Sequence, residues 1–450
     1  MNLLHPDARV LDAATGATLD HAQVDAAAAD FARHAPGVAF ALTPTELPAV
    51  ARYLGALRAG RPVALLDPEL TAPVLHDLIA RFAPALVTGV TGAPPDGYRA
   101  EPAAHRAGAD TWVRQAPAAP VHPDLALLLT TSGSTGNPKL VRLSAAAVRA
   151  NAEAIAASLG ITGAETAPTT LPLFYTYGLS VLHSHLLRGA TVVLERSGML
   201  HRDFWAAVDT HRVTSLAAVP YQYEMLRRLR FDPARYPHLR TLTQAGGRLR
   251  TELVADFGDR MAAAGGWLFV MYGQTEATAR MTVLPPDRLA DKLGSAGLPI
   301  PGGALATRDG EVVYTGPNVM MGYAETARDL ARGDDLGGVL RTGDLGHLDD
   351  DGFLFLTGRL KRIGKVFGVR VNLDDVERGL ATHGAVAAVA GDDRIHVFVE
   401  GADAEHARAV RGELAGWLDT HFSGLDVRGV DALPLLPTGK IDYRRLEASL

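Results

Sequence analysis

Apolar residues recur along the first third of the chain in two alternating rhythms. Leu47, Val50, Leu54 and Leu57 fall three or four apart, one face of a helix that Thr45 caps and Gly60 ends. Val63 to Leu66 then reads as a short buried strand. The unit repeats: Thr71 precedes a helix with Val74, Leu75, Leu78, Ile79 and Phe82 on one face, followed by the apolar run Ala85 to Val87. Further strand candidates are Leu125 to Leu129, Thr191 to Leu194, Thr214 to Ala217, Arg240 to Thr243 and Trp267 to Met271, with helical segments between most of them. Strands alternating with helices predict an α/β fold built on parallel sheets.

From about Ala304 the texture changes. Asp309-Gly-Glu-Val-Val-Tyr314 and Asp350-Asp-Gly-Phe-Leu-Phe-Leu356 are short strands broken by Gly and Asp turns, which predicts a β-rich subdomain. A basic, glycine-punctuated link follows Gly358. Beyond it lie strands near Val386 and Ile395 and a helix carrying Val410, Leu414, Trp417 and Leu418. The expected organisation is a large N-terminal α/β domain over 1–358 and a small mobile α+β domain over 359–450.

Composition narrows the function. At 450 residues, with 47% hydrophobic and 21% charged residues, the chain is long enough for two cores and far from the composition of disorder. A net charge of −6 gives no electrostatic footprint for nucleic acid. Cysteine is absent, so disulfides, thiolate metal sites and a cysteine nucleophile are excluded. The opening MNLLHPDARV lacks the basic and apolar segments of a signal peptide, and no apolar stretch reaches the length of a membrane span. A soluble, cytoplasmic protein is expected.

The chemistry concentrates first in Leu125-Ala-Leu-Leu-Leu-Thr-Thr-Ser-Gly-Ser-Thr-Gly-Asn-Pro-Lys139, a buried strand running into a loop of glycines and hydroxyls. Gly133 and Gly136 let backbone N–H groups approach anionic oxygens, Thr131, Ser132, Ser134 and Thr135 add donors, and Lys139 adds charge, a set suited to polyphosphate. It is not a Walker loop, because Lys139 stands between Pro138 and Leu140 rather than between Gly and a hydroxyl residue.

The string resembles the signature loop of the adenylate-forming superfamily, which includes acyl-CoA synthetases, the adenylation domains of nonribosomal peptide synthetases and beetle luciferase. Four further strings resemble the superfamily's motifs in its order: Gln244-Ala-Gly-Gly247, Tyr272-Gly-Gln-Thr-Glu276, Arg341-Thr-Gly-Asp344 with Gly358-Arg359, and Pro437-Thr-Gly-Lys440. The resemblance implies ATP and Mg²⁺. Tyr272 would stack on adenine, with Gly273 and Gln274 in its turn. Thr275 would contact the α-phosphate and Glu276 hold Mg²⁺. Gly246 and Gly247 would line the adenine and acyl pockets, Asp344 and Arg359 bind ribose, and Lys440 act as the catalytic lysine. Lys361 maps to the hinge about which the small domain turns, and Lys365-Val-Phe-Gly368 to the pantetheine tunnel. The implied reaction is adenylation of a small carboxylic acid with loss of pyrophosphate, then transfer to the thiol of CoA or a phosphopantetheinylated carrier protein. Without cysteine, the thiol must come from that partner.

The chain departs from the common pattern at Leu140, Ser144-Ala145 and Val339-Leu340, none of which removes a catalytic group. Its region before the loop is short, which implies a reduced outer subdomain. In Leu171-Pro-Leu-Phe-Tyr175-Thr-Tyr-Gly-Leu-Ser180, Tyr175 occupies the acyl-gating position and Thr176 the place where amino-acid-activating relatives carry Asp. A buried ammonium without a carboxylate is costly, so a substrate lacking an α-amino group is expected. Tyr177, Ser180, Tyr221 and Tyr223 are candidates for a partly polar acyl pocket. His183 and His185, two apart on a helix, point away from each other and read as core or surface residues rather than a metal pair. An amine acceptor, a non-carboxylate oxyanion, or a non-catalytic nucleotide-binding relative are the competing readings.

Overall fold

The structure is a computed structural model that describes residues 1–101, 110–130, 139–360, 362–367, 369–391, 394–418 and 420–450. The chain divides into two compact units, Met1–Ala304 with Thr315–Leu340, and Leu305–Tyr314 with Arg341–Leu450.

The first unit is α/β, as the alternating rhythms predict. Its largest sheet has eight strands, and the four at its centre, Leu125–Thr130, Val63–Leu66, Ala39–Leu42 and Leu86–Val90, run parallel. All four positions of Ala39–Leu42 and of Val63–Leu66 are buried, as expected for strands covered on both faces. Antiparallel strands close the edges, among them Leu140–Ser144 paired with Leu125–Thr130, and Gly322–Ala324 paired with Leu140–Ser144. A second, five-stranded sheet begins with three parallel strands, Ser215–Ala218, Thr241–Gln244 and Trp267–Tyr272, and ends in antiparallel Thr282–Leu284 and Leu298–Pro299.

The second unit carries the β-rich texture read from Ala304 onward. Its four-stranded sheet is ordered Ala304–Arg308, Glu311–Thr315, Val339–Leu348, Leu354–Arg359. A hairpin of Ile363–Val366 and Val369–Asn372 leads to a three-stranded sheet of Val386–Gly391, Arg394–Glu400 and Leu425–Val430, backed by the helix Ala404–Trp417. The contact boundary thus falls before Arg341, with Leu354–Arg359 inside the second unit, whereas the expected hinge lies after Gly358.

Two apolar faces need correction. The helix Ala72–Phe82 buries Leu75, Leu78, Ile79 and Phe82, but Val74 flanks that stripe by about a right angle and stays exposed. Trp417, grouped with Val410 and Leu414, is half exposed at the end of its helix, its ring lying over Gly379.

Candidate active site

The strand Leu125–Thr130 delivers the chain to the glycine-rich loop from the interior of the large sheet. Thr131, Ser132, Gly133, Ser134, Thr135 and Gly136 lie outside the described residues, as does Lys361. The chain is described again from Lys139, whose Nζ pairs with Glu325 at 2.6 Å and lies 5.8 Å from the centre of the Tyr323 ring. Tyr323 is held there by the edge pairing of Gly322–Ala324 with Leu140–Ser144, and its hydroxyl donates to Glu276 Oε1 at 2.7 Å. Sequence reading missed Tyr323. Burial, and then the Glu276 carboxylate, hold its phenol well above the ordinary range, so it remains a donor.

Glu276 itself sits in the short turn Thr275–Ala277 after the strand Trp267–Tyr272. The turn doubles back so tightly that a Cβ at Gly273 would collide with the Ala279 carbonyl, which accounts for glycine after Tyr272. Thr278 takes φ +67°, a strained conformation for a β-branched residue. It is held by its own hydroxyl on the Asn318 carbonyl at 2.7 Å, while the Thr176 hydroxyl donates to the Thr278 carbonyl. Among the described residues no cluster of three or more His, Cys, Asp or Glu is poised for a metal. One half-buried carboxylate, hydrogen-bonded by a neutral phenol, fits Mg²⁺, which takes few protein ligands and draws the rest from phosphates and water.

The candidate acyl wall is built on the helix Thr176–Leu187, buried from Thr176 through Leu186. Tyr175 caps it, and the Tyr175 hydroxyl lies 2.6 Å from where a Cβ on Gly246 would be. Gly246 has φ +84°, so conformation and space both require glycine there. Gly247 follows, its carbonyl accepting from Gln244 Nε2 at 2.7 Å. The Tyr177 hydroxyl bonds Thr243 at the carbonyl (3.0 Å) and at Oγ1 (2.8 Å), and its ring stands edge-on to Tyr175. Desolvation raises the pKa of both phenols, which keeps them neutral. The Ser180 hydroxyl turns back onto the Tyr177 carbonyl at 2.7 Å. Tyr223 is fully buried, whereas Tyr221 is 41% exposed on the helix Pro220–Arg228. His183 and His185 are core residues: His183 Nε2 meets the Tyr53 hydroxyl at 2.6 Å, and His185 Nδ1 meets the Val181 carbonyl at 2.8 Å.

Sequence reading also missed Arg280. It is 2% exposed, and its guanidinium lies 4.9 Å from the centre of the Tyr177 ring. Desolvation depresses its pKa.

In the second unit, Asp344 and Arg359 stand opposite each other in antiparallel register, Arg359 Nε donating to Asp344 Oδ1 at 2.9 Å. Asp344 is buried while the Arg359 side chain is 61% exposed. A third unforeseen residue, buried Glu311, supports the turn: it accepts from the Gly343 N–H at 3.0 Å and from Arg341 Nε at 2.6 Å. Thr342 donates to the Val312 carbonyl at 2.7 Å and accepts from the Asp344 N–H at 3.1 Å. Lys440 follows a three-residue hairpin loop in which Leu436 exchanges bonds with Gly439 and Lys440, and Gly439 takes φ +75°.

A family model described as AMP-binding enzyme matches residues 4–324. The 2-succinylbenzoate–CoA ligase of Bacillus velezensis is 33% identical over 275 residues, 59% of this chain and 55% of that protein. In that alignment the chain spans little more than half of the relative's length. Feruloyl-CoA synthase of an Amycolatopsis species is 32% identical over 352 residues, 71% of this chain and 68% of that protein. Among solved structures, O-succinylbenzoate coenzyme A synthetase from Bacillus subtilis, in complex with ATP and magnesium ion, superposes with a TM-score of 0.74 at 23% identity, over 97% of this chain and 96% of that one.

Proposed function

This chain belongs to the AMP-binding enzyme family, and on that premise we propose that it is an AMP-forming acid–thiol ligase. In the first step a carboxylate oxygen attacks the α-phosphorus of ATP, and pyrophosphate leaves. In the second, a phosphopantetheine thiol attacks the acyl carbon of the adenylate, and AMP departs as the thiol loses its proton. CoA or a carrier protein supplies that thiol.

The observation that carries this reading is Glu276, hydrogen-bonded by Tyr323 and neighboured through it by Lys139, where the glycine-rich segment rejoins the described fold. A preorganised carboxylate and ammonium beside a hydroxyl-rich loop suit a polyphosphate with its cation. Glu276 would hold Mg²⁺, which when bound neutralises charge on the departing pyrophosphate. Thr131, Ser132, Gly133, Ser134, Thr135, Gly136 and Thr275 are assigned to the phosphates, and Tyr272, Gly273 and Gln274 to adenine. Asp344 and Arg359 are assigned to ribose. Lys440 is assigned to the charge that redistributes between carboxylate and α-phosphate. Tyr175, Thr176, Tyr177 and Ser180 are assigned to the acid, and Gly246 and Gly247 to the lining of the adenine and acyl pockets. Tyr221, on the outer face of its helix, is assigned to the pocket's rim.

Thr176 spends its hydroxyl on the Thr278 carbonyl and offers no negative charge, which supports an acid without an α-ammonium. We assign residues 359–450 to a domain that turns about Lys361 between the two steps. Among the described residues no helix is long and apolar enough to cross a membrane. We infer action in the cytoplasm, which supplies both ATP and the acceptor thiols.

The test is pyrophosphate release with ATP, Mg²⁺ and a panel of aryl, cinnamoyl-like, short aliphatic and long-chain acids, followed by product mass with CoA or a loaded carrier protein. Acid-dependent pyrophosphate and an acyl thioester are expected. Absence of acid-dependent release across the panel rejects the reading.

A further inference from the structure

The AMP-binding site as proposed uses no charge from the acyl wall, yet that wall contains one. Arg280 is 2% exposed, and its Nε and Nη1 are buried with no hydrogen-bond partner among the described residues. Residues 131–138, outside the described set, contain no carboxylate that could reach it. Its carbonyl is clamped by Asn151 Nδ2 at 2.9 Å and Asn318 Nδ2 at 3.1 Å, so the backbone is held from two sides while the guanidinium lies over Tyr177. The neighbouring core is mostly aromatic and aliphatic, with Tyr175, Tyr177, Phe269 and Met271 in one cluster and the buried His185 within reach of the Arg280 charge. The nearby phenols stay neutral and offer no compensating charge.

A guanidinium shut away from water with unmade hydrogen bonds is among the most unfavourable arrangements a core can hold. The face of Tyr177 offsets part of that cost but occupies none of the N–H donors. Five donors in a planar fork match a carboxylate two bonds at a time.

We propose that Arg280 is the receptor for a second carboxylate, so that the acid activated by this chain is a dicarboxylic acid whose far end pairs with Arg280 while its near end is adenylated. This rests on the acid-ligase reading above. The polyphosphate is a poor alternative occupant, because Arg280 packs on the ring of Tyr177 in the apolar acyl wall. The same charge also repels an ammonium, in agreement with Thr176 standing where an acidic residue would be needed.

The experiment compares succinate, glutarate, adipate and terephthalate, each against its monomethyl ester, in the pyrophosphate-release assay with the full chain. For at least one pair the diacid should exceed its ester in kcat/KM by about 10²–10³-fold, the effect of leaving a buried charge unpaired. Arg280→Gln should collapse that ratio toward one, and Arg280→Lys should keep an intermediate ratio. Esters used as well as diacids by the native protein, or an unchanged ratio in Arg280→Gln, overturn the proposal while leaving the ligase reading intact. A second measurement needs neither turnover nor a folded variant: the melting temperature of the native protein with each diacid and each ester, without ATP. A selective rise with a diacid supports Arg280 even if no acid releases pyrophosphate, an outcome that would reject the ligase reading alone. No selective rise with any diacid overturns the proposal.

Discussion

Two arginines in this chain hold their charge in opposite ways. Arg359 lies largely in water and reaches back to a buried partner, Asp344. Arg280 lies in the core, against an aromatic ring and without a carboxylate partner among the described residues. The first pair can open at little cost, since water rehydrates the guanidinium. The second has no such alternative. Groups in the second unit should therefore register in the kinetics of single steps, and groups behind the first unit's acyl wall in specificity and stability.

The largest effect expected is from Lys440→Ala, on the order of 10²–10³ in the rate of pyrophosphate release, as for loss of one preorganised electrostatic donor. Unaltered pyrophosphate release would remove Lys440 from the chemistry. Lys361→Pro sharpens the same contrast. Adenylate should still form, trapped as acyl-AMP, while thioester formation is lost; a variant that still makes thioester would remove the hinge.

Asp344→Ala should raise KM for ATP by about 10–100-fold, the loss of hydrogen bonds to a charged group, and Arg359→Ala by less. Equal effects would show that the exposed arginine is not the easily replaced partner, and the comparison would fail. Tyr323→Phe removes one hydrogen bond to Glu276 and should raise the Mg²⁺ needed for half-maximal rate only a few-fold, on the order of 1 kcal/mol. Titration of activity against Mg²⁺ reads this directly.

The last effect is on stability alone and belongs to the core. Burial lowers the His183 pKa from 6.5 to about 3 and that of His185 to about 4. Below pH 6.5 the unfolded chain takes up these protons and the folded chain does not. Stability present above that pH is therefore lost as pH falls from 6.5 toward 3, by at most about 1.4 kcal/mol per pH unit for each histidine. The melting temperature of His183→Gln should fall less steeply between pH 6.5 and 5 than that of the native protein. Parallel slopes would contradict a buried neutral His183.

The α/β core was legible because its strands and helices are written in local periodicity: Val63–Leu66 and Thr191–Leu194 occur where the apolar runs placed them. Glu276, Asp344, Arg359 and Lys440 stood out in the sequence because the strings around them resemble the superfamily's motifs, while the contacts Glu276–Tyr323 and Asp344–Arg359 come from the fold. Arg280 was not legible. In Ala279-Arg280-Met281 nothing local distinguishes it from a surface arginine, and its burial comes from a helix distant in sequence. Tyr323 and Glu311 escaped for the same reason, since an edge pairing and a sheet neighbour bring them to their partners. Trp417 misled in the other direction: its spacing fits an apolar face, but the helix ends there and its ring is half exposed.

The close approach of Tyr175 to Gly246 limits how the space between them can be altered. With the phenol oxygen 2.6 Å from the position of a Cβ, the two residues share one parcel of space. Enlarging position 246 alone produces a clash, and trimming position 175 alone leaves a void. Trimming position 175 does not release position 246, where φ +84° and Val219 Cγ1, 2.9 Å from the same point, still require glycine, so a library that resizes this space should vary position 175 and keep Gly246.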